Sequence, residues 1–234
     1  MPAPSMKEIL AEKTAQCRRM DAPLAARLAA FAAEVTALSP EFTAIVERMI
    51  ERLNAVGAGE NAPGPGEPLA PFMLPDQDGN LVALGSLLER GPLVLSFHRG
   101  GWCPYCRISA EALAMLDPEV RGLGAQIAVV TPDVEQFNAE LQSDVKASFP
   151  VLTDLDNGYA LEMNLAISIP DDKRQAMTAA GWDIASTQGN DAWMLPIPAT
   201  FVVGRDGLVK ARYVDPDYRK RMTTEAILQA LKSA

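Results

Sequence analysis

Apolar residues recur at helical spacing through the first quarter of the chain. Phe42, Ile45, Val46, Met49, Ile50, Leu53 and Val56 fall on one face of a 3.6-residue period. Ser39-Pro40-Glu41 stands before them, with Ser placed to cap the helix and Pro at its first position. Leu24, Leu28, Phe31, Val35 and Leu38 repeat the pattern upstream, and Met6, Leu10 and Cys17 align on a further face. The spacing predicts a helical extension over residues 1–56. Its apolar faces need a partner, either the rest of the chain or a second subunit. Cys17 belongs to such a face and is expected to pack there.

The period then breaks. Residues 57–66, Gly-Ala-Gly-Glu-Asn-Ala-Pro-Gly-Pro-Gly, have the composition of a linker, and a domain boundary is expected there. Beyond it the pattern alternates between short apolar runs and helical stretches. Phe72–Leu74 and Leu81–Leu84 flank a turn and read as a hairpin. Leu93–Phe97 reads as a buried strand, followed by a helix from about Cys103 to Leu116. Gln126–Val130 is the next strand, and Thr131-Pro132-Asp133 caps a helix reaching about Lys146. Val151-Leu152 is a short strand, and residues 154–158 are a turn. Residues 164–197 read as irregular, with a helix around 171–180. This segment either lids a site, with Trp182 and Trp193 as cover, or pads the sheet. Thr200–Gly204 and Leu208–Tyr213 form a second hairpin, and a helix over 217–233 closes the chain. A strand–helix–strand unit of this kind predicts an α/β domain over 67–234.

Composition narrows the partners. The chain has 234 residues, a net charge of −9 and a pI near 4.7. An acidic surface repels phosphate, so neither nucleic acid nor an anionic membrane is an expected partner. No apolar run reaches the ~20 residues that span a bilayer. Met1-Pro2-Ala3-Pro4-Ser5-Met6-Lys7-Glu8 lacks a signal core, so a cytoplasmic location is expected. The three cysteines are too few for a disulfide scaffold.

Two of those cysteines carry the candidate chemistry. Leu93–Phe97 runs through His98-Arg99-Gly100-Gly101-Trp102 into Cys103-Pro104-Tyr105-Cys106. Two cysteines two residues apart at a helix start can close a disulfide without distorting the backbone. The helix N-terminus offers partial positive charge and free N–H groups, both of which stabilise a thiolate. Arg99 and Arg107 flank the motif and are expected to add charge. A zinc site would need more ligands than Cys17 and His98 could supply, so no metal is expected. No cofactor is expected either, and His98 reads as structural. Ile197-Pro198, before a strand, is a candidate cis-proline loop facing the cysteines, with Pro196 as competitor.

Trp102-Cys103-Pro104-Tyr105-Cys106 after a strand, with Pro198-Ala199-Thr200-Phe201-Val202-Val203 and Asp206-Gly207, resembles the thioredoxin fold. The run Phe97–Cys106, the segment Phe149–Asp154 and the segment Tyr213–Tyr218 resemble, more narrowly, the peroxiredoxin-like branch of the alkyl hydroperoxide reductase and thiol-specific antioxidant family. The resemblance covers about residues 67–233. It implies a thioredoxin-like fold with a central mixed sheet flanked by helices. It also implies a thiol-dependent peroxidase that takes hydrogen peroxide or organic hydroperoxides and draws electrons from a dithiol donor such as a thioredoxin-like protein. Cys106 takes the place of the peroxidatic cysteine, and Cys103 becomes the resolving one. Against the family's Pro-x-x-x-Thr-x-x-Cys motif, Arg99 falls on the Pro and Cys103 on the Thr. Pro198 falls where the family has an active-site Arg. Two alternatives stand beside this reading: a thiol–disulfide oxidoreductase with Cys103 as nucleophile, and a non-catalytic redox sensor. A homodimer is plausible from the unpartnered helix faces.

Overall fold

The computed structural model describes residues 5–234. Three helices open it: α1 (Met6–Arg18), α2 (Leu24–Leu38) and α3 (Pro40–Ala55). Ser5 and Glu8 close a capping box at the start of α1, and Ser39 caps α3 by accepting the Phe42 N–H. Residues 1–4, part of the expected helical extension and signal-free N-terminus, lie outside the described residues.

A hairpin of β1 (Met73–Pro75) and β2 (Leu81–Ala83) follows, then α4 (Leu84–Arg90). The central run is β3 (Leu93–Phe97), α5 (Pro104–Gly122), β4 (Gln126–Thr131), α6 (Glu135–Val145), β5 (Val151–Thr153) and α7 (Gly158–Glu162). Next come β6 (Ala166–Ser168), α8 (Asp171–Ala179), α9 (Ile184–Gln188) and β7 (Met194–Pro196). β8 (Ala199–Val203), β9 (Val209–Val214) and α10 (Thr224–Leu231) close the chain.

The main sheet has five strands in the order β5-β4-β3-β8-β9. β5, β4 and β3 are parallel; β8 runs antiparallel to β3 and pairs antiparallel with β9, which therefore points the same way as β3. This is an α/β sheet, as the pattern predicts, and a mixed one, as the resemblance implies. β3 lies at its centre, buried at every position, so the strand that leads into the cysteine motif is held on both sides. Phe97 pairs with Ala199 in β8. Pro198 therefore sits beside the strand end that carries the motif.

Several boundaries differ from the sequence reading. α5 continues past the expected end near Leu116 to Gly122, with Pro118 inside it. Leu113, Leu116 and Val120 bury one face there, and Asp117 ties Arg121 and Ser148. α6 starts at Glu135 after Val134, because Asp133 turns inward instead of capping. Residues 154–158 are a short 3-10 turn over Leu155–Asn157 that runs into α7, with Asp154 accepting the Tyr159 and Ala160 N–H groups. Residues 164–197 hold two helices and the antiparallel β6–β7 pair. The last helix begins at Thr224, capped by Thr223, and not at 217. The backbone of 217–222 instead folds inward, with Asp217, Tyr218 and Arg221 buried. Every described peptide bond is trans, so neither Pro198 nor Pro196 forms the expected cis loop.

The three N-terminal helices lie on the body of the same chain. Leu28 and Phe31 of α2 and Val46, Met49 and Ile50 of α3 share one core with Cys103, Tyr105, Cys106 and Ile108. Arg18 pairs with Glu111 of α5 at 3.1 Å and with Asp144 of α6 at 2.7 Å. Their apolar faces are therefore spent within the chain and give no argument for a second subunit. Cys17 is buried in this core, as its helical register implies. Residues 57–66 run along the sheet: Ala62 is buried, and the Gly66 N–H donates to Val209 O at 2.8 Å. No helix among the described residues is long and apolar enough to cross a membrane.

Candidate active site

The motif is built by one constrained turn at the end of β3. Gly100 has φ +131°, a region that other residues rarely adopt. A Cβ there would also lie 2.7 Å from both Asp133 carboxylate oxygens and against the Trp102 indole nitrogen. The Gly101 N–H donates to Asp133 Oδ2 at 2.7 Å, which pins the loop to the end of β4. The Cys103 N–H returns to Gly100 O at 3.2 Å. Cys103 then caps α5, Pro104 takes its first position, and Cys106 falls in its first turn.

Both thiols are free and buried. Cys106 Sγ accepts the Arg99 backbone N–H at 3.3 Å and Arg221 Nη2 at 3.4 Å. Burial works against a thiolate on Cys103. The hydrogen bond from Cys106 and the charges of Arg99 and Arg221 outweigh it and bring Cys103 down to about 5. Burial, together with the hydrogen bond and charge of Cys103, pushes Cys106 well above the usual thiol range. Near neutral pH the pair therefore holds one proton where two separate thiols would hold two.

Three buried basic side chains lie around the sulfurs. The Arg99 guanidinium lies 4.0 Å from the Tyr218 ring centre and 5.1 Å from that of Trp102. Arg221 Nη1 donates to Tyr218 O at 2.5 Å and Lys220 O at 2.6 Å, so the folded-in 217–222 backbone sets its position. Lys173 of α8 donates to the Tyr218 hydroxyl at 3.1 Å and lies 3.9 Å from the Phe42 ring centre. Burial, then the Arg99 charge, holds Lys173 well below the usual lysine range. Arg219 links this segment to α3 through Glu47 at 2.7 Å.

Two further titratable groups lie close by. Burial pushes Asp133 up to about 7, against the pull of its hydrogen bond from Gly101. Its Oδ1 has no hydrogen-bond partner among the described residues. His98 is fully buried with Nε2 3.1 Å from Ser96 Oγ, and burial and the Arg221 charge lower it to about 3. A neutral imidazole so held fits a structural role.

Of the residues expected at the site, Cys103, Cys106, Arg99 and Trp102 come together. Pro198 is buried at the neighbouring strand start. Arg107 faces elsewhere: it pairs with Asp144 at 2.8 Å and is not among the groups that shift either thiol. Its expected place is taken by Arg221. Sequence reasoning missed Arg221, Tyr218, Lys173 and Asp133. Asp133 had a signal, since it follows a strand at the carboxyl end of a parallel sheet, where sites gather. Lys173 sits in a polar helix and has none.

A narrow cavity of about 30 Å³ opens on Cys103 between α2, α3 and α8. Phe31, Val35, Phe42, Tyr105, Met177 and Trp182 form its apolar wall, with Arg99 and Lys173 as its charged groups. Cys106 does not line it. Trp182 lies 6.1 Å from Phe42 and 6.4 Å from Trp102, ring centre to ring centre, so it does cover the cysteines. Trp193 packs elsewhere in the same core, under Arg174.

Residues 65–212 match the family described as AhpC/TSA family. No curated protein matches the chain. Among solved structures, peroxidoxin BcpB of Mycobacterium tuberculosis superposes with a TM-score of 0.58 at 21% identity, over 73% of this chain and 97% of that one. Peroxiredoxin 6 of Arenicola marina gives 0.58 at 18%, over 72% of each chain. The bacterioferritin comigratory protein of Xanthomonas campestris gives 0.53 at 18%, over 69% of this chain and 90% of that one. At such identities these are likenesses of fold.

Proposed function

The chain belongs to the AhpC/TSA family, and from that premise we propose that it is a thiol-dependent peroxidase working through a Cys103/Cys106 dithiol–disulfide cycle. One observation carries the reading. Two buried free thiols stand one helical turn apart beside Arg99 and Arg221, whose charges favour a thiolate, and Arg221 Nη2 lies 3.4 Å from Cys106 Sγ. A thiolate attacks the terminal oxygen of the peroxide and the O–O bond breaks. The sulfur becomes a sulfenic acid, and the departing oxygen takes a proton to leave as water or an alcohol. The second cysteine attacks that sulfur, the S–S bond forms, and water departs. A dithiol donor such as a thioredoxin-like protein then returns two electrons by thiol–disulfide exchange. A reducing compartment such as the cytoplasm keeps such a cycle supplied.

Access decides the order of attack. Cys103 lines the cavity and carries the more acidic thiol, so the first attack is assigned to it and resolution to Cys106. The family resemblance favours the reverse, and the two N–H donors on Cys106 Sγ support that second reading. Cys103→Ser and Cys106→Ser variants, given hydrogen peroxide with a sulfenic-acid trap, separate the two. Trapped sulfenic acid on Cys103 in Cys106→Ser is the expected result. Trapping only in Cys103→Ser reverses the order and leaves the cycle intact. Absence of peroxide consumption by the wild-type protein, with disulfide exchange retained, would favour a thiol–disulfide oxidoreductase instead.

A further inference from the structure

The cavity over Cys103 is small, and its walls come from several separate parts of the chain. Phe31, Val35 and Phe42 belong to α2 and α3, upstream of the family match at 65–212. Met177 and Trp182 belong to α8 and the turn after it. Three aromatic rings, those of Phe42, Trp182 and Trp102, form a partly exposed rim. Below the rim, Phe31 and Tyr105 meet edge to face at 5.0 Å and are both buried.

The space inside is about 30 Å³. An apolar cavity that holds a benzene measures about 150 Å³, so this one has room only for a molecule near the size of water. Hydrogen peroxide, with two oxygens and no carbon, fits. A tert-butyl or cumyl group adds several carbons and does not fit without parting α2 and α3 from α8. That movement is resisted. Lys173 Nζ sits over the Phe42 ring at 3.9 Å, so opening the rim breaks the contact between a buried amine and an aromatic face. Arg48 and Arg52 of α3 also pair with Asp172 of α8 at 3.7 and 3.5 Å. Most of the wall is apolar, so it selects chiefly by size.

We propose that the rim of Phe42, Trp182 and Trp102 is a size filter that gives Cys103 to hydrogen peroxide and excludes branched and aryl hydroperoxides. The substrate half of this inference rests on the peroxidase reading; the filter itself is a property of access to Cys103. Two measurements keep them apart. The first is kcat/KM for hydrogen peroxide, tert-butyl hydroperoxide and cumene hydroperoxide, with dithiothreitol as reductant. The second is the alkylation rate of Cys103 by iodoacetamide and by N-pyrenylmaleimide, followed by peptide mass and divided by the rate for a free cysteine peptide.

The wild-type protein is expected to favour hydrogen peroxide over cumene hydroperoxide by at least tenfold, and the small alkylating reagent by a similar factor. Trp182→Ala removes a partly exposed ring from the rim. It is expected to shrink both ratios at least fivefold by raising the rates of the bulky reagents. Val35→Ala, which widens the wall, is expected to act in the same direction if Trp182→Ala folds poorly. Equal or better use of cumene hydroperoxide by the wild-type protein overturns the proposal, as do alkylation ratios unmoved by both variants. If no peroxide is consumed, the peroxidase reading falls and the alkylation ratios decide the filter alone.

Discussion

Arg221 reaches Cys106 Sγ at 3.4 Å, and its other terminal nitrogen is anchored on Tyr218 O and Lys220 O. The remaining donor to that sulfur is the Arg99 backbone N–H, which no side-chain change removes. Arg221 is thus the group through which thiol acidity can be tested. A nearby cation favours the thiolate, so its loss favours the thiol. Arg221→Met keeps much of the apolar stem and deletes the charge. The first proton of the cysteine pair is expected to leave at a pH higher by about 1. Iodoacetamide alkylation followed against pH reads that midpoint, and Arg221→Lys should recover part of it. A midpoint unmoved in Arg221→Met would assign the acidity to Arg99 and the helix terminus. Nothing local in the sequence marks Arg221. It lies three residues past Tyr218 in a stretch whose composition suits a helix, and the inward turn that buries it depends on contacts from distant elements. Cys103 and Cys106 were legible because two cysteines at a strand-to-helix turn are rare and chemically specific.

Among the elements, α5 does two jobs. Its first turn holds the cysteines, and its outer face receives α1 and α2. Glu111 lies between Arg18 at 3.1 Å and Arg27 at 3.5 Å. Arg27 is buried, and among the described residues its Nε has no hydrogen-bond partner, so Glu111 is the carboxylate that balances its charge. Removing one member of a buried pair leaves the other charged and unsolvated. Glu111→Ala is expected to cost about 3 kcal/mol in urea unfolding, the low end for a buried pair because Glu111 keeps some solvent contact. Faster amide exchange in α1 and α2 than in β3 should accompany it. A loss below about 0.5 kcal/mol, the range of ordinary surface changes, would mean that water reaches Arg27. The helices of the extension were legible from their 3.6-residue period alone. Their docking on α5 was not, because ion pairs between residues 18 and 111 leave no local pattern. The same limit explains α5 itself. Pro118 is a strong local stop signal, and only the burial of Leu116 and Val120 against the sheet overrides it.

Across the whole molecule, charge is divided between surface and interior. The chain carries −9 overall, yet its buried thiol site gathers Arg99, Arg221 and Lys173. Net charge is legible from composition; this inversion is not, since it depends on which charges the fold buries. Its consequence is a stability that responds to pH through groups acting in opposite directions. His98 is lowered to about 3 by burial and by Arg221. Between that value and its ordinary 6.5, the unfolded chain binds a proton that the native state refuses, so this group makes stability rise with pH. Asp133 is raised by burial from 3.8 to about 7. Between those values the native state holds a proton that the unfolded chain releases, so this group makes stability fall as pH rises. The two windows overlap and largely offset each other. Cys103, lowered from 9.0 to about 5, adds a rise that begins within the same range. Asp133→Asn keeps a carbonyl acceptor for the Gly101 N–H and removes the opposing titration. Relative to wild type, its unfolding free energy is expected to grow as pH rises from 4.5 to 7.5. The gain is a few kcal/mol at most, at about 1.4 kcal/mol for each tenfold change in proton affinity. Urea denaturation of both proteins across that range measures it. Parallel profiles would show that the Asp133 carboxyl is ionised in the fold, and that the loop before Cys103 is pinned by a charged acceptor and not a protonated one.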